Sequence, residues 1–113
     1  MTTKNKVKFL YLTASSTTEA ETISTKLVDE ELVACANILG EATAIHKWGG
    51  KLIKEKETVL ILKTSAKLVD QTLKRISELH SYECPAAVVL DIQGGNIDFL
   101  AWINEVTDQN FRD

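Results

Sequence analysis

The sequence predicts an α+β fold of the split βαβ kind: a four-stranded antiparallel sheet with two helices on one face, an extended hairpin between the second and third strands, and an extra C-terminal helix. Three observations carry this. Apolar runs switch between strand and helix periods in the order strand, helix, strand, strand, helix, strand, helix. The hairpin running from Ala34 to Lys63 about Trp48-Gly49-Gly50-Lys51 is too long for so small a chain. At roughly 3.3 Å per residue, Cys35 to Lys47 spans about 40 Å, against an expected radius of gyration of about 14 Å. Finally, two helices cannot bury both faces of a sheet, so one face is left for the last helix or a second subunit.

The first strand is expected over residues 7–13, where Val7, Phe9, Leu10, Tyr11 and Leu12 form a short apolar run. Ser16 with Glu19 reads as a capping box, the serine oxygen accepting from the N3 amide while Glu19 reaches back to the cap amide. Ala20, Ile23 and Leu27 follow at helical spacing, predicting a helix to about Leu32. The hairpin arms carry Ile38, Leu39, Ile45 and Trp48 on one side and Val59, Leu60, Ile61 and Leu62 on the other, more apolar than a solvated ribbon requires. A two-stranded ribbon is marginal alone, which predicts cover from another chain, with Trp48 as an interface anchor. The alternative is a bulge near Gly40 that curls the ribbon over its own domain. Across the hairpin, Glu55 and Glu57 are expected to pair with Lys47 or Lys51. Thr64-Ser65 then caps a second helix bearing Val69, Leu73, Ile76 and His80, and Pro85 stops it. A strand over 86–92 ends at Gln93-Gly94-Gly95-Asn96, and a helix with Phe99, Leu100, Trp102, Ile103 and Val106 closes the pattern, Trp102 covering the core or the open sheet face.

The 113 residues form one expected domain, 1–113, with an ordered core of about 7–107. That length buries enough surface to fold without disulfide or metal. Apolar residues are 44%, charged residues 26% and the net charge is -3, the composition of an ordinary globular protein. Lys4, Lys6 and Lys8 are the only close basic set, so no phosphate-tracking surface points to nucleic acid. No apolar run reaches the roughly 20 residues needed to cross a bilayer, and the polar start lacks a secretory apolar segment. These features predict a cytoplasmic protein whose two cysteines are thiols.

The glycine pairs match neither a P-loop nor a dinucleotide cradle. No local signature activates a thiol or orients an imidazole for catalysis, so the sequence predicts no enzyme. The chemically dense set is Cys35, His80, Tyr82, Glu83 and Cys84. Thiolate and imidazole favour copper or zinc over magnesium or calcium, which makes Cys35, His80 and Cys84 the candidate metal ligands. The competing reading has His80 capping the second helix by bonding a carbonyl, and both cysteines packing as small hydrophobes. A ligand cleft lined by His46, Lys63, Tyr82 and Glu83 is the further candidate, with Lys63 suited to a small anionic ligand.

Several stretches together resemble the CutA family of divalent-cation tolerance proteins. They are Leu27-Val28, Leu32-Val33-Ala34-Cys35-Ala36-Asn37, Ile45 with Trp48-x-Gly50-Lys51, Glu57 followed by Leu60-x-x-Lys63-Thr64, His80-x-Tyr82-Glu83-x-Pro85 and Phe99-Leu100-x-Trp102-Ile103. The resemblance implies a ferredoxin-like domain assembled as a homotrimer with hairpins pairing between subunits, similar in architecture to PII signalling proteins. It implies binding of Cu(II), with other divalent cations more weakly, and a contribution to cation tolerance or metal response without turnover, Cys35 and His80 being the retained ligands. A cysteine of a relative is Leu12 here, the usual Tyr of the first hairpin strand is His46, and the usual Glu after the proline is Ala86. Cys84 is a local addition. The alternative it leaves is a trimeric scaffold or small-molecule sensor with clefts between subunits.

Overall fold

The computed structural model describes residues 6–108. The polar start before Lys6, including Lys4, and the tail after Asp108 lie outside the described residues. The elements run β1 (Val7–Ala14), α1 (Thr17–Asp29), β2 (Cys35–Trp48), β3 (Lys51–Ser65), a 3-10 turn (Ala66–Leu68), α2 (Val69–Leu79), β4 (Ala87–Asp91) and α3 (Ile97–Val106). The strands form one antiparallel sheet in the order β2-β3-β1-β4. This is the α+β, ferredoxin-like arrangement with an added C-terminal helix that the period changes predict.

Side chains alternate across each strand, so the register separates two faces. Leu10, Leu12 and Ala14 of β1 and Leu60 and Leu62 of β3 point toward α1 and α2, where they close a core with Ala20, Ile23, Leu27 and Ile76. The opposite face carries Phe9, Tyr11, Val59 and Ile61, with Val88 and Leu90 of β4 exposed beside them. Helix α3 covers one end of that face, burying Ile103, while the Thr107 hydroxyl meets Ser65. Phe99 and Trp102 stack at 6.1 Å and stay partly exposed, so α3 leaves the middle of the face open.

Helix α1 stops at Asp29, short of the expected Leu32, because Glu31 takes φ 63 in a C-terminal cap. The Glu31 amide donates to Val28 O and the Leu32 amide to Leu27 O, which turns the chain and lets Leu32 and Val33 enter the core. At the other end Ser16 accepts from the Glu19 amide at 3.1 Å as expected, but the Glu19 carboxylate reaches Ser15 rather than the cap amide. Thr64 and Ser65 do not cap the second helix. The Thr64 hydroxyl donates to Leu32 O, Ser65 makes no side-chain cap, and a 3-10 turn intervenes before α2.

The hairpin is as long as the sequence suggests, and it also contains the bulge. Ile38 pairs with Leu60 and Gly40 with Val59, leaving Leu39 extra, and Gly40 adopts φ 118. Pairing then resumes to Trp48 and Lys51 across Gly49 and Gly50, both left-handed, as a two-residue turn requires. Beyond the Thr58–Ala14 pair the ribbon leaves the rest of the sheet, and the molecule reaches 50 Å along its longest axis.

Candidate functional site

Beyond the bulge, the two faces of the ribbon carry different chemistry. Residues opposite one another across the strands share a face, so Lys47, Lys54 and Lys56 fall on the outer side with Ile45 and Leu52. His46, Trp48, Ile53, Glu55 and Glu57 fall on the other. That second side looks across at the loop following α2, and together with Thr13, Tyr82, Cys84 and Ala86 it lines an open cleft of about 490 Å³. The expected pairing of Glu55 and Glu57 with Lys47 or Lys51 does not form, because the register sets Glu55 against Ala44 and Glu57 against Ala42, while Lys47 meets Leu52.

The loop wall is held by one buried and one half-buried polar side chain, His80 and Glu19. Helix α2 ends at His80, whose Nε2 lies 2.8 Å from Thr13 O and whose Nδ1 accepts from the Tyr82 amide at 3.0 Å. The amide can only donate, so Nδ1 is the acceptor and Nε2 carries the proton given to Thr13 O. Glu19 secures the next residue: one carboxylate oxygen accepts from the Ser15 amide and hydroxyl at 2.9 and 2.8 Å, the other from the Ser81 amide at 2.7 Å. Burial pushes the Glu19 carboxyl up, but the bonds from Ser15 and Ser81 outweigh it and pull the pKa down to about 2. Tyr82 packs its ring 4.8 Å from the His80 ring. Burial, and then the charges of Glu57, Glu55 and Glu19, raise its phenol above the ordinary value.

Of the residues nominated by the sequence, His46, Tyr82 and Cys84 come together in this cleft. Lys63 does not join them within one chain. Its ammonium donates to Asn37 and lies 5.6 Å from the centres of both the Phe9 and Phe99 rings, at the α3 end of the open face. Glu83 is exposed on the loop and does not line the cleft. Cys35 begins β2 opposite Lys63 and lines a shallow groove with Ser24, Val28 and Ala36. His80 bonds to Thr13, whose partner Val59 precedes Lys63 by four positions on β3, so Cys35 and His80 are offset by about 13 Å along the strands. Among the described residues no group of three or more His, Cys, Asp or Glu is placed to hold a metal ion.

Sequence reasoning missed Thr13, Glu19, Glu55 and Glu57 as parts of the site. The alternation of Glu55 and Glu57 with Lys54 and Lys56 was the available signal, since it puts both acids on one ribbon face. Nothing local reveals that Glu19 bonds Ser81. A larger hollow of about 710 Å³ lies at the other end of the sheet, lined by Lys6, Ser65, Lys67 and Asn104 among others. It holds none of the nominated residues, and Lys67 there pairs with Asp108 at 3.5 Å.

The model of the family described as CutA1 divalent ion tolerance protein matches residues 8–106. The divalent-cation tolerance protein CutA of Pyrococcus horikoshii is 40% identical over 98 residues, covering 87% of this chain and 95% of that protein. Its counterpart from Thermus thermophilus is 36% identical over 96 residues, covering 85% and 93%. Among solved structures, the divalent ion tolerance protein CutA1 from Ehrlichia chaffeensis superposes with a TM-score of 0.87 at 33% identity, covering 94% of this chain and 98% of that one. The structure described as the periplasmic divalent cation tolerance protein CutA from Archaeoglobus fulgidus gives 0.85 at 33% identity, covering 89% and 98%.

Proposed function

Since the chain belongs to the CutA1 divalent ion tolerance family, we propose that it works as a homotrimer that binds divalent cations, Cu(II) foremost, and contributes to cation tolerance without chemical turnover. The observation that carries the metal reading is the cleft, which the Cys84 thiol lines from the loop and which His46, Glu55 and Glu57 line from one face of the ribbon. Soft sulfur with imidazole and carboxylate suits copper. The fit is partial within one chain, so a neighbouring subunit supplies the remaining donors. Cys84 and His46 form the cleft pair, and Cys35 is a thiol placed elsewhere on the surface. His80 ligates only if it gives up its bond from the Tyr82 amide. Thiols in both positions suit a reducing compartment such as the cytoplasm.

Assembly is supported by what the single chain leaves uncovered. Strand β2 is a 14-residue sheet edge, and Leu39, Ile45, Trp48, Leu52, Val88 and Leu90 are exposed, Trp48 at 76%. An edge that long pairs readily with another chain, and apolar surface of this extent gains from cover.

Calorimetric titration of untagged protein with Cu(II) tests the metal reading. Cys84→Ser and His46→Ala should each weaken binding at least about tenfold, Cys35→Ala and His80→Ala serving as the competing assignment. Unchanged stoichiometry and affinity in all four variants would reject binding through these donors. The second reading, a trimeric small-molecule sensor, is favoured by one observation: Thr13, a residue only 6% exposed, lines the cleft, and its buried hydroxyl has no hydrogen-bond partner among the described residues.

A further inference from the structure

We propose that the cleft between the ribbon and the loop after α2 is a receptor for a small organic diammonium ion, held by Glu55 and Glu57 and faced by the Trp48 and Tyr82 rings. Its charge is of one sign. Glu55 and Glu57 line it, and no lysine or arginine does. The basic side chains of this part of the ribbon, Lys47, Lys54 and Lys56, are on the outer face by register. Lys51 shares the cleft face at the tip but does not line the cleft. Among the described residues neither Glu55 nor Glu57 lies within ion-pair distance of a basic group, whereas Glu41, Glu30 and Asp91 each have one. Burial, and then the charges of Glu57 and Glu55, raise the phenol of Tyr82 beside them.

Negative charge alone would accept any cation, and the rest of the lining narrows the choice. Trp48 and Tyr82 add aromatic rings to the lining, and Ile53 an apolar side chain. An alkylammonium is attracted to aromatic faces and its methylene chain to the apolar wall, whereas a strongly hydrated inorganic cation gains little from either. Glu55 and Glu57 occupy successive same-face positions, about 7 Å apart along the strand, a separation that a short diamine can bridge with one ammonium at each carboxylate. Thr13, also in the lining, has a buried hydroxyl with no hydrogen-bond partner among the described residues. Lys63, the group suited to an anion, is outside the cleft and already bonded to Asn37. The diammonium reading shares its location and the two carboxylates with the proposed metal site but uses the rings rather than the thiol and imidazole, so either can fail alone.

The test is calorimetric titration of the full chain, freed of metal with EDTA, with diaminobutane, butanediol and succinate at matched ionic strength. The diamine should saturate one site per chain while the neutral diol and the dianion show no saturable binding. Glu55→Gln with Glu57→Gln should weaken the diamine at least about tenfold, and Trp48→Ala severalfold. Lys67→Ala, in the hollow at the other end of the sheet, should leave its affinity within about twofold. Light scattering establishes that each variant keeps the wild-type assembly, and Glu55→Gln alone replaces the double variant if that one does not. Equal binding of succinate, a diamine affinity insensitive to the carboxylate variants, or no diamine binding by the intact assembly would each overturn the proposal.

Discussion

Replacing Glu19 by glutamine should cost stability at neutral pH and almost none in acid. The carboxylate accepts from Ser15 and Ser81 and is pulled from 4.5 to about 2, with its side chain 14% exposed. At about 1.36 kcal/mol per pKa unit the shift corresponds to at most about 3 kcal/mol, and allowing for partial exposure leaves about 2 kcal/mol. The sign follows from the folded pKa being the lower one: the unfolded chain binds the proton more readily. The contribution is therefore complete above about 4.5 and disappears as pH falls through about 2. Denaturant unfolding of wild type and Glu19→Gln, at one fixed protein concentration because assembly shifts apparent stability, should show a gap of about 2 kcal/mol at pH 7 that narrows steadily below pH 4.5. A gap independent of pH, or none at pH 7, would refute the assignment of Glu19 as an ionised strut between α1 and the cleft loop.

His80→Ala leaves Thr13 O and the Tyr82 amide without their partner, so a loss of about 2 kcal/mol and faster hydrogen exchange at the Tyr82 amide are expected, the exchange read by NMR or mass spectrometry. Leu62→Ala removes a fully buried side chain and should cost about 3 kcal/mol in the same unfolding assay. Gly40→Val should lose about 2 kcal/mol from backbone strain at φ 118, although nothing lies within 4 Å of a Cβ placed there. A stability unchanged by that substitution would mean the bulge readily rearranges.

The parts of the fold written in local pattern were legible, and the parts set by distant contacts were not. Leu10 and Leu12, Ile23 and Leu27, and Leu60 and Leu62 announce their elements by period, and all are buried. Gly49-Gly50 marks the turn because two left-handed residues are needed there. Glu31 at a left-handed position carries no such mark, so the end of α1 was misjudged by three residues. Thr64 looked like a cap, but its hydroxyl is drawn to Leu32 O, a carbonyl 32 residues away in the chain. The same limit applies to the site. His80 was nominated as a metal ligand, with a carbonyl-bonding cap of the second helix as the competing reading; it does bond a carbonyl, but that of Thr13, a partner that follows only from the sheet. Glu55 and Glu57 were assigned to Lys47 or Lys51, although the Gly49-Gly50 turn by itself sets the register that puts them opposite Ala44 and Ala42; the bulge at Leu39 lies beyond them.

The central claim is that the extended β2 edge, the outer face of the ribbon and the half-covered sheet face are surfaces between copies of this chain. Size-exclusion chromatography with light scattering on the untagged full chain tests it most directly. The account predicts three chain masses, constant over a hundredfold dilution. A single chain mass at every concentration would contradict it.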